Sequence, residues 1–498
     1  MKSVYVLEPL VDAVALAAFV LFTITTGVFL FRIFFVPLAF VHQRIDLRRR
    51  EEGDTGALAD TPSISVVIPA YNEEATLESC VRSIASTDYP NIEILIVDDG
   101  SKDRTEEIGR ALDADDPRVR YIRQVNGGKG SALNHGYRES TGEFLMFIDA
   151  DSVFTNDTIP EMLRGFRHEN VGAVCGDDRP VNLNRVLTRF LALITYVGTA
   201  LVRRAFDVLG CVPVVSGNCG TFRREALDEL TGSGPGPLRE DTIGEDLEMT
   251  WRFHRHEWDV AFAPRAIVYA ESPSTFKALW KQRVRWARGL LQSLGYHWRC
   301  ALSPRYGAFM PFLIFTIFAM AILPPVQILS LLIVVGWGVW SAWQRYQETR
   351  NGGAPGNAGD GPSRWLDEIL SWEVAWIILF GSGLVVSLVL LVIAMAMANS
   401  LRDLRFIWTI PIWPFYSTAM SLTMIRAWYL EIAKKPQVWN KPERTGVISH
   451  RDATALTPKT NAPQPAIAAA SKPATKPGST ARPGTGNVSM AGDSQPAP

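Results

Sequence analysis

Long apolar runs near both ends of the sequence enclose a central region with a different pattern. The run "VALAAFVLFTITTGVFLF" (14–31) carries no charge, and neither does "VAWIILFGSGLVVSLVLLVIAMAMANSL" (374–401). Since about 20 apolar residues of helix cross the hydrocarbon core of a bilayer, both runs are predicted membrane spans. A third span is predicted at 406–425, because a packed helix bundle tolerates the prolines in that run.

The segment after the first apolar run indicates the orientation. "HQRIDLRRR" (42–50) is rich in arginine, and basic segments beside membrane spans favour the cytoplasmic side. No small-residue cleavage site follows the run, so we expect an uncleaved anchor rather than a signal peptide. The N-terminus is then outside and the central region is cytoplasmic.

Two interpretations stay open for the apolar segment 307–343. It is either one tilted helix or a short hairpin that turns at Pro324 and Pro325. The tail "KKPQVWNKPERTG" (434–446) is basic and is expected in the cytoplasm. Because only the hairpin returns this tail to the cytoplasm, we prefer the hairpin, which gives five spans.

The central region alternates strand-length apolar runs with helix-spaced ones. Strands are predicted at 63–71, 92–100, 119–124 and 143–152, and helices at 73–87, 103–114 and 129–140. This βαβαβαβ order predicts an α/β fold with a mainly parallel sheet and helices on both faces. In such sheets ligands bind beyond the carboxyl ends of the strands.

Composition narrows the function further. The formal net charge of −1 argues against a nucleic-acid partner. The five cysteines form no C-x-x-C pair, and in the cytoplasm they are expected to stay reduced. Residues 452–498, rich in Ala, Pro, Thr and Ser, lack the large apolar residues that a core requires, so we predict a disordered tail.

Two predicted strands end in paired carboxylates, Asp98-Asp99 and Asp149-Ala150-Asp151. A D-x-D at a strand end supplies hard oxygen ligands that suit Mg²⁺ or Mn²⁺, and such an ion can bridge a diphosphate. A single D-x-D is a weak signal, because solvated turns often contain Asp. Two acidic strand ends in one parallel sheet strengthen the prediction of a metal and diphosphate site.

Seven motifs in a fixed order extend this interpretation. They are "VVIPAYNEE" (66–74), "VDDGSKDRT" (97–105), "NGGKGSALNHG" (126–136), "FIDADS" (147–152), "VSGNCGTFRREAL" (215–227), "IGEDLEMTWRF" (243–253) and "QRVRW" (282–286). With them the chain resembles glycosyltransferase family 2, particularly its membrane-embedded processive β-glycan synthases. Among these, the synthases of poly-β-1,6-N-acetylglucosamine look most similar, ahead of hyaluronan, chitin and cellulose synthases.

The resemblance implies a GT-A fold, a UDP-sugar donor and Mg²⁺ or Mn²⁺. By matching position it implies a uridine site at Ala70, Tyr71 and Glu73, nucleotide contacts at Asp98 and Asp99, diphosphate contacts at Lys129 and Arg285, a sugar and nucleotide contact at Asp149, and a metal ligand at Asp151. The chemistry agrees with this set, since metal and cations neutralise a departing diphosphate.

The acceptor side of the implied site has two parts. Asp246 would be the general base that deprotonates the acceptor hydroxyl, with Glu245 as the alternative base or an orienting group. Gln282 and Trp286 would contact the acceptor, since apolar sugar faces stack on indole rings. Trp286 could instead be an interfacial anchor. We expect Arg288, like Arg283, to contact lipid headgroups or solvent.

We therefore expect an inverting membrane glycosyltransferase of the plasma membrane, multi-pass, with a cytoplasmic catalytic domain. It would transfer sugar from a UDP-sugar, first of all UDP-N-acetylglucosamine, to a growing β-linked polysaccharide that passes through its own transmembrane bundle. The alternative is a non-processive enzyme that adds one sugar to a lipid-linked acceptor. The bilayer and accessory subunits that export or modify the product are the further partners implied.

The expected organisation is an anchor (1–40), a basic linker (41–61), a GT-A domain ending in an interfacial amphipathic helix (62–300), a transmembrane hairpin (301–343), a cytoplasmic loop (344–371), two transmembrane helices (372–430), a juxtamembrane segment (431–451) and the tail (452–498).

Overall fold

The centre of the molecule is an eight-stranded mixed sheet. A computed structural model describes Ile24, Gly27 and residues 30–232, 234–350 and 373–436. Its strands are β1 (Ile64–Ala70), β2 (Ile92–Asp98), β3 (Val119–Arg123), β4 (Phe144–Phe147), β5 (Val153–Phe154), β6 (Val171–Pro180), β7 (Gly220–Arg223) and β8 (Asp259–Ala270). They are ordered β3-β2-β1-β4-β7-β6-β8-β5. All four strands predicted from the apolar runs are present.

The first half of the sheet is parallel, as expected. Strand β1 pairs in parallel with β2 and β4, and β2 pairs in parallel with β3. Ala70 at the end of β1 lies opposite Asp98 at the end of β2. The carboxyl ends of β1, β2 and β4 therefore meet at one edge, which brings the acidic strand ends together.

The second half of the sheet differs from the simple βαβ pattern. Strand β7 is antiparallel to β4 and β6, while β8 is parallel to β6 and antiparallel to β5. A "GDD" sequence (176–178) belongs to strand β6, where Asp177 pairs with Arg179 and Asp178 with Arg203. The antiparallel strands leave the parallel carboxyl edge intact and extend the sheet on its other side.

Helices cover the sheet and connect it to the apolar segments. They are α1 (Phe35–Glu51), α2 (Leu77–Ala85), α3 (Thr105–Asp115), α4 (Lys129–Glu139), α5 (Thr158–Arg164), α6 (Val186–Tyr196), α7 (Arg204–Val208), α8 (Arg224–Thr231), α9 (Glu245–Arg255), α10 (Phe276–His297), α11 (Phe309–Thr316), α12 (Leu323–Arg350), α13 (Glu373–Met397) and α14 (Trp413–Ile432). Helices α2, α3 and α4 lie where the sequence predicts crossover helices. Helix α1 continues through residue 51, so the first part of the expected linker is helical.

The turn predicted at Pro324 and Pro325 is wrong. Residues 309–350 are helical throughout, because a π-helical segment (Ile317–Ile322) joins α11 to α12. A proline has no N–H for the carbonyl four residues earlier, so Pro325 leaves the carbonyl of Ala321 without its helical donor. The indole N–H of Trp428 donates to that carbonyl at 3.1 Å. A neighbouring helix thus replaces the missing bond, and the helix need not turn.

Two helices among the described residues are long and apolar enough to cross a membrane. They are Val186–Val208, which α6, a π-helical segment (Val197–Arg203) and α7 form together, and Phe309–Ile333. The first was not predicted as a span, and half of its most apolar window is buried inside the protein. Val385–Met397 is a shorter apolar helix.

The remaining apolar predictions are met only in part. The third predicted run, 406–425, is divided between a 3₁₀ segment (Leu401–Ile412) and α14. Most of the first predicted span, the greater part of the 344–371 loop and the whole 452–498 tail lie outside the described residues.

Helix α4, which begins with Lys129, packs closely on the sheet at Gly136. A Cβ atom at Gly136 would lie 2.2 Å from Cγ1 of Val67, a buried residue of β1. We expect Gly136→Ala to destabilise the fold by about 1–3 kcal/mol through overpacking. Thermal unfolding of the purified chain measures the change.

Gly295 provides the matched control for this substitution. It lies in α10, and a Cβ atom there would meet nothing within 4 Å. Gly295→Ala should therefore stabilise the helix, by up to about 1 kcal/mol. Equal melting temperatures for the two variants would contradict the close packing of α4 on β1.

Candidate active site

The acidic pair at the end of β2 holds the loops around it. Asp98 is fully buried, and its carboxylate accepts hydrogen bonds from the Tyr121 hydroxyl at 2.5 Å and from the Ser101 N–H at 2.8 Å. These bonds use both oxygens of Asp98. Asp98 therefore fixes the turn after β2.

Asp99 shapes the glycine turn that precedes α4. Its carboxylate accepts hydrogen bonds from the side-chain amide of Gln124 and from the N–H groups of Gly127 and Gly128, all at 2.8 Å. Gly128 has φ +90°, a conformation that favours glycine. The turn delivers Lys129, the first residue of α4, to the carboxyl edge of the sheet.

Lys129 brings together residues from distant parts of the chain. Its Nζ lies 2.7 Å from Oδ1 of Asp149, beyond β4, and 3.3 Å from Oε1 of Glu245, at the start of α9. Asp246 is close enough to act on the same ammonium group. The sequence prediction that Asp149 and Asp246 share one site is thus consistent with the geometry, since both face Lys129.

The electrostatics of this cluster favour a charged lysine. Burial alone would lower the pKa of Lys129, but the negative charges of Asp149, Glu245 and Asp246 raise it above the ordinary value. Burial raises the pKa of Glu245, and the charge of Asp246 adds to that rise, while Lys129 and Arg285 oppose it. Lys129 and Arg285 therefore compensate part of the negative charge at the centre of the site.

Asp246 is less enclosed than Glu245. It lies in the first turn of α9, where the helix dipole favours a carboxylate, and its Oδ1 accepts a hydrogen bond from the Leu247 N–H at 2.8 Å. A Cβ atom at Gly217 would lie 2.7 Å from Nζ of Lys129 and 3.8 Å from Oδ2 of Asp246. The "SGNCG" loop (216–220) therefore borders the site, and a side chain at 217 would have to displace the ammonium group of Lys129.

Another group of carboxylates surrounds the thiol of Cys80 at the carboxyl edge. Burial, followed by the charges of Asp151, Glu73 and Asp149, raises the pKa of this thiol well above its usual range. Glu73 accepts a hydrogen bond from the Thr76 hydroxyl at 2.7 Å, and Asp151 is 7% exposed. The D-x-D and the expected uridine site therefore adjoin each other.

The first predicted nucleotide residues lie at the end of β1. The carbonyl of Ala70 accepts a hydrogen bond from the Asp99 N–H at 2.8 Å, which joins β1 to the acidic turn after β2. Tyr71 follows at once and is partly exposed. Asn72 has φ +53°, so the chain bends sharply here and leads to Glu73.

Helix α10, which contains "QRVRW", lies against the segment 242–245. Arg285 acts electrostatically on Glu245. One turn later, a Cβ atom at Gly244 would lie 2.8 Å from Cα of Gly289, so the two backbones touch. Arg285, Gly289 and Gln292 recur at helical spacing and form one stripe on α10. The predicted interfacial helix therefore borders the acidic cluster.

Trp286 is 46% exposed, and the guanidinium of Arg283 lies 4.2 Å from the centre of its indole ring. Gln282, one turn earlier, is partly buried. The prediction for Arg288 is wrong. It is 6% exposed and pairs with Glu431 of α14 at 2.6 Å, because α14 packs directly on this face of α10.

The described residues contain no cluster of three or more His, Cys, Asp or Glu side chains arranged to hold a metal ion. Sequence analysis missed two residues that shape the site. Gly217 belongs to a quoted motif, but nothing in the motif shows which side chain would collide with a Cβ atom. Gln292 carries no sequence signal, because its partners lie 49 and 139 positions away.

Known proteins resemble this chain in sequence and in fold. The model of glycosyl transferase family 2 matches residues 65–231. A poly-β-1,6-N-acetyl-D-glucosamine synthase of Staphylococcus epidermidis is 32% identical over 227 residues, and one of Staphylococcus aureus strain COL is 30% identical over the same length. Each match covers 45% of this chain and 54% of the relative, so the chain spans about half the length of these relatives.

A solved structure confirms the predicted GT-A fold. A mannosyltransferase from Pyrobaculum calidifontis, in complex with GDP-Man and Mn²⁺, superposes with a TM-score of 0.52 at 19% identity. The superposition covers 84% of this chain and all of the mannosyltransferase. The order of motifs, the family match and the fold agree, and residues 65–231 form a domain of glycosyl transferase family 2.

Proposed function

We propose that this protein is an inverting glycosyltransferase that takes sugar from a UDP-sugar, first of all UDP-N-acetylglucosamine, and extends a β-linked polysaccharide. The observation that carries the proposal is the convergence of Asp149, Glu245 and Asp246 on Lys129 at the carboxyl edge of the sheet. The similarity to poly-β-1,6-N-acetyl-D-glucosamine synthases supports the choice of sugar.

In the proposed reaction an acceptor hydroxyl oxygen attacks the anomeric carbon of the donor sugar. The bond from that carbon to the diphosphate oxygen breaks, UDP leaves with the bonding electron pair, and a carboxylate receives the hydroxyl proton. Attack on the side opposite UDP inverts the configuration. The protein must therefore supply a base on the acceptor side and positive charge on the UDP side.

Asp246 is the better candidate for the base. Glu245 is buried and lies 3.3 Å from Nζ of Lys129, so its charge is already engaged. Asp246 is partly exposed beside the glycine loop at Gly217, where an acceptor can approach. Glu245 would then orient Lys129, and Lys129 with Arg285 would face the diphosphate.

The D-x-D residues fit a divalent cation. Mg²⁺ in such enzymes is usually held by one or two carboxylates together with substrate phosphates, which agrees with two carboxylates and no preformed cluster among the described residues. Asp151 would hold Mg²⁺ or Mn²⁺, and Asp149 would face the sugar and nucleotide. The bound cation would supply positive charge to the diphosphate. The similar mannosyltransferase was solved with Mn²⁺.

Ala70, Tyr71 and Glu73 would line the uridine site. Asp98 and Asp99 would support it mainly through the turns that they hold, because their oxygens already accept hydrogen bonds from those turns. For the nucleotide to contact Asp99, one of the hydrogen bonds that Asp99 accepts from the turn would have to be replaced by a bond from the nucleotide.

The acceptor would lie against helix α10, with Gln282 and Trp286 as its contacts. Two described helices of sufficient length and apolarity support a membrane-embedded protein. We propose that the product leaves through the apolar helices that follow α10, with the catalytic domain on the cytoplasmic side of the plasma membrane. The lipid bilayer and export or modification subunits would be its partners.

The donor can be identified with purified protein and a panel of UDP-sugars. We expect UDP-N-acetylglucosamine with Mg²⁺ or Mn²⁺ to give a long glycan, and EDTA to stop its synthesis. Product length and linkage are measured by mass spectrometry and methylation analysis. A lipid carrying a single sugar, with no longer product, would reject polymerisation and leave the non-processive alternative.

The base can be assigned by comparing Asp246→Asn with Glu245→Gln. We expect Asp246→Asn to lower the transfer rate by about 10²–10⁴-fold, because the proton acceptor is lost, while UDP affinity is retained. Calorimetric titration with UDP measures the affinity. Turnover at the wild-type rate in Asp246→Asn, with loss only in Glu245→Gln, would move the base to Glu245.

The role of Trp286 can be separated from membrane anchoring. Trp286→Ala should lower chain elongation more than UDP-sugar hydrolysis, and Trp286→Phe should restore part of the loss because a ring remains. Trp298 is the control, since it is also half-exposed at 48% and lies beside an arginine, Arg299. If Trp298→Ala had the same effect, Trp286 would be an anchor and not an acceptor contact.

A further inference from the structure

The side-chain amide of Gln292 is bonded at both ends. Its Oε1 accepts hydrogen bonds from the Thr242 hydroxyl at 2.8 Å and from the Ile243 N–H at 3.1 Å. Its Nε2 donates to Oε1 of Glu431, on the last turn of α14, at 3.1 Å. An amide has one accepting and one donating end, so these partners define its orientation.

Glu431 is held in turn by Arg288. Nε of Arg288 donates to Oε1 of Glu431 at 2.6 Å, and its two terminal nitrogens donate to the carbonyls of Lys435 and Pro436 at 2.9 and 3.2 Å. The guanidinium is buried, so solvent does not screen the pair as it does at an exposed surface. The end of α14 is thereby fixed to α10.

The hydrogen bonds of Gln292 also connect to the segment that carries Asp246, the proposed base. The hydroxyl oxygen of Thr242 also accepts a hydrogen bond from the Gly244 N–H at 3.2 Å. Gly244 precedes Glu245 and Asp246 and touches Gly289 of α10. The segment 242–244 therefore has its position set by one glycine contact and by Gln292.

We infer that Gln292 and Glu431 are positioning residues, which hold Asp246 in place for the acceptor and make transfer depend on the last turn of α14. The inference rests on the proposed function. Donor binding should depend less on these residues, because Asp149, Asp151 and Lys129 are carried by β4, the turn after it and α4. The donor side is linked to α9 and α10 by the contact of Glu245 with Lys129 and by the charge of Arg285. A displacement of α14 would accordingly lower acceptor deprotonation more than UDP affinity.

A charge swap tests the inference. Gln292→Glu keeps an oxygen for Thr242 and Ile243 but turns its second oxygen toward the Glu431 carboxylate. We expect the transfer rate to fall on the order of tenfold, since small displacements of a catalytic group are costly, with a smaller change in UDP affinity. The double variant Gln292→Glu with Glu431→Gln restores a donor opposite an acceptor and should regain most of the rate. Arg288 keeps a carboxylate one helical turn away at 292.

Hydrogen exchange provides a readout that needs no substrate. The Ile243 N–H donates to Gln292, and the Glu248 N–H donates to the Gly244 carbonyl at 2.9 Å. Exchange in a peptide covering 242–250 should be faster in Gln292→Glu and return to the wild-type rate in the double variant. If exchange in this peptide were the same in Gln292→Glu as in the wild type, while the protein still made polymer, only the positioning inference would fail. The proposed function would stand. If the exchange rates changed as expected but UDP-N-acetylglucosamine gave no product, only the proposed donor would be rejected.

Two further variants complete the design. Glu257→Gln removes an exposed ion pair with Arg305 just after α9 and should change neither readout. Gln292→Leu removes all three hydrogen bonds of the Gln292 side chain without adding a charge, and it serves if Gln292→Glu does not accumulate. A parallel fall in UDP affinity and transfer, or a double variant as slow as Gln292→Glu, would show that these residues only stabilise the fold.

Discussion

The ion cluster around Lys129 is the constraint on which the rest of the site depends. One ammonium group must compensate carboxylates supplied by the end of β4 and the start of α9, far apart in sequence. An uncompensated carboxylate in that place would be costly to bury. The glycine turn tied by Asp99, the missing side chain at Gly217 and the stripe on α10 all serve to bring Lys129 and its partners within reach of one another.

This arrangement also explains why the acidic residues have different duties. Asp98 and Asp99 have their oxygens bonded to neighbouring turns, so they act mainly as structural supports. Asp149 and Glu245 face the lysine, while Asp246 is left on the side of the glycine loop. The sequence shows five similar carboxylates. Only their hydrogen-bond partners and their burial show which carboxylates support a turn, which balance the charge of Lys129 and which can reach an acceptor.

Local patterns predicted the parallel half of the sheet, because strand-length apolar runs and helical spacing depend on nearby residues. The strands β1 to β4 and the shared edge of Asp98 and Asp149 follow from them. Long-range contacts were beyond reach: nothing near Gln292 identifies Thr242 or Glu431, and nothing near Arg288 indicates that α14 covers it. The continuous helix through Pro324 and Pro325 was missed for the same reason, since Trp428 lies more than a hundred residues away.

That indole bond has a consequence for how the apolar helices choose their neighbours. A buried peptide carbonyl without a hydrogen-bond donor is costly, and the bond that satisfies it is directional. Because Pro325 leaves the carbonyl of Ala321 without its helical donor, packing against α14, whose Trp428 supplies an N–H, is favoured over packing that buries equal area without a donor. Proline is usually regarded as a helix breaker, but here it exposes a carbonyl that helps to select which helix packs against it.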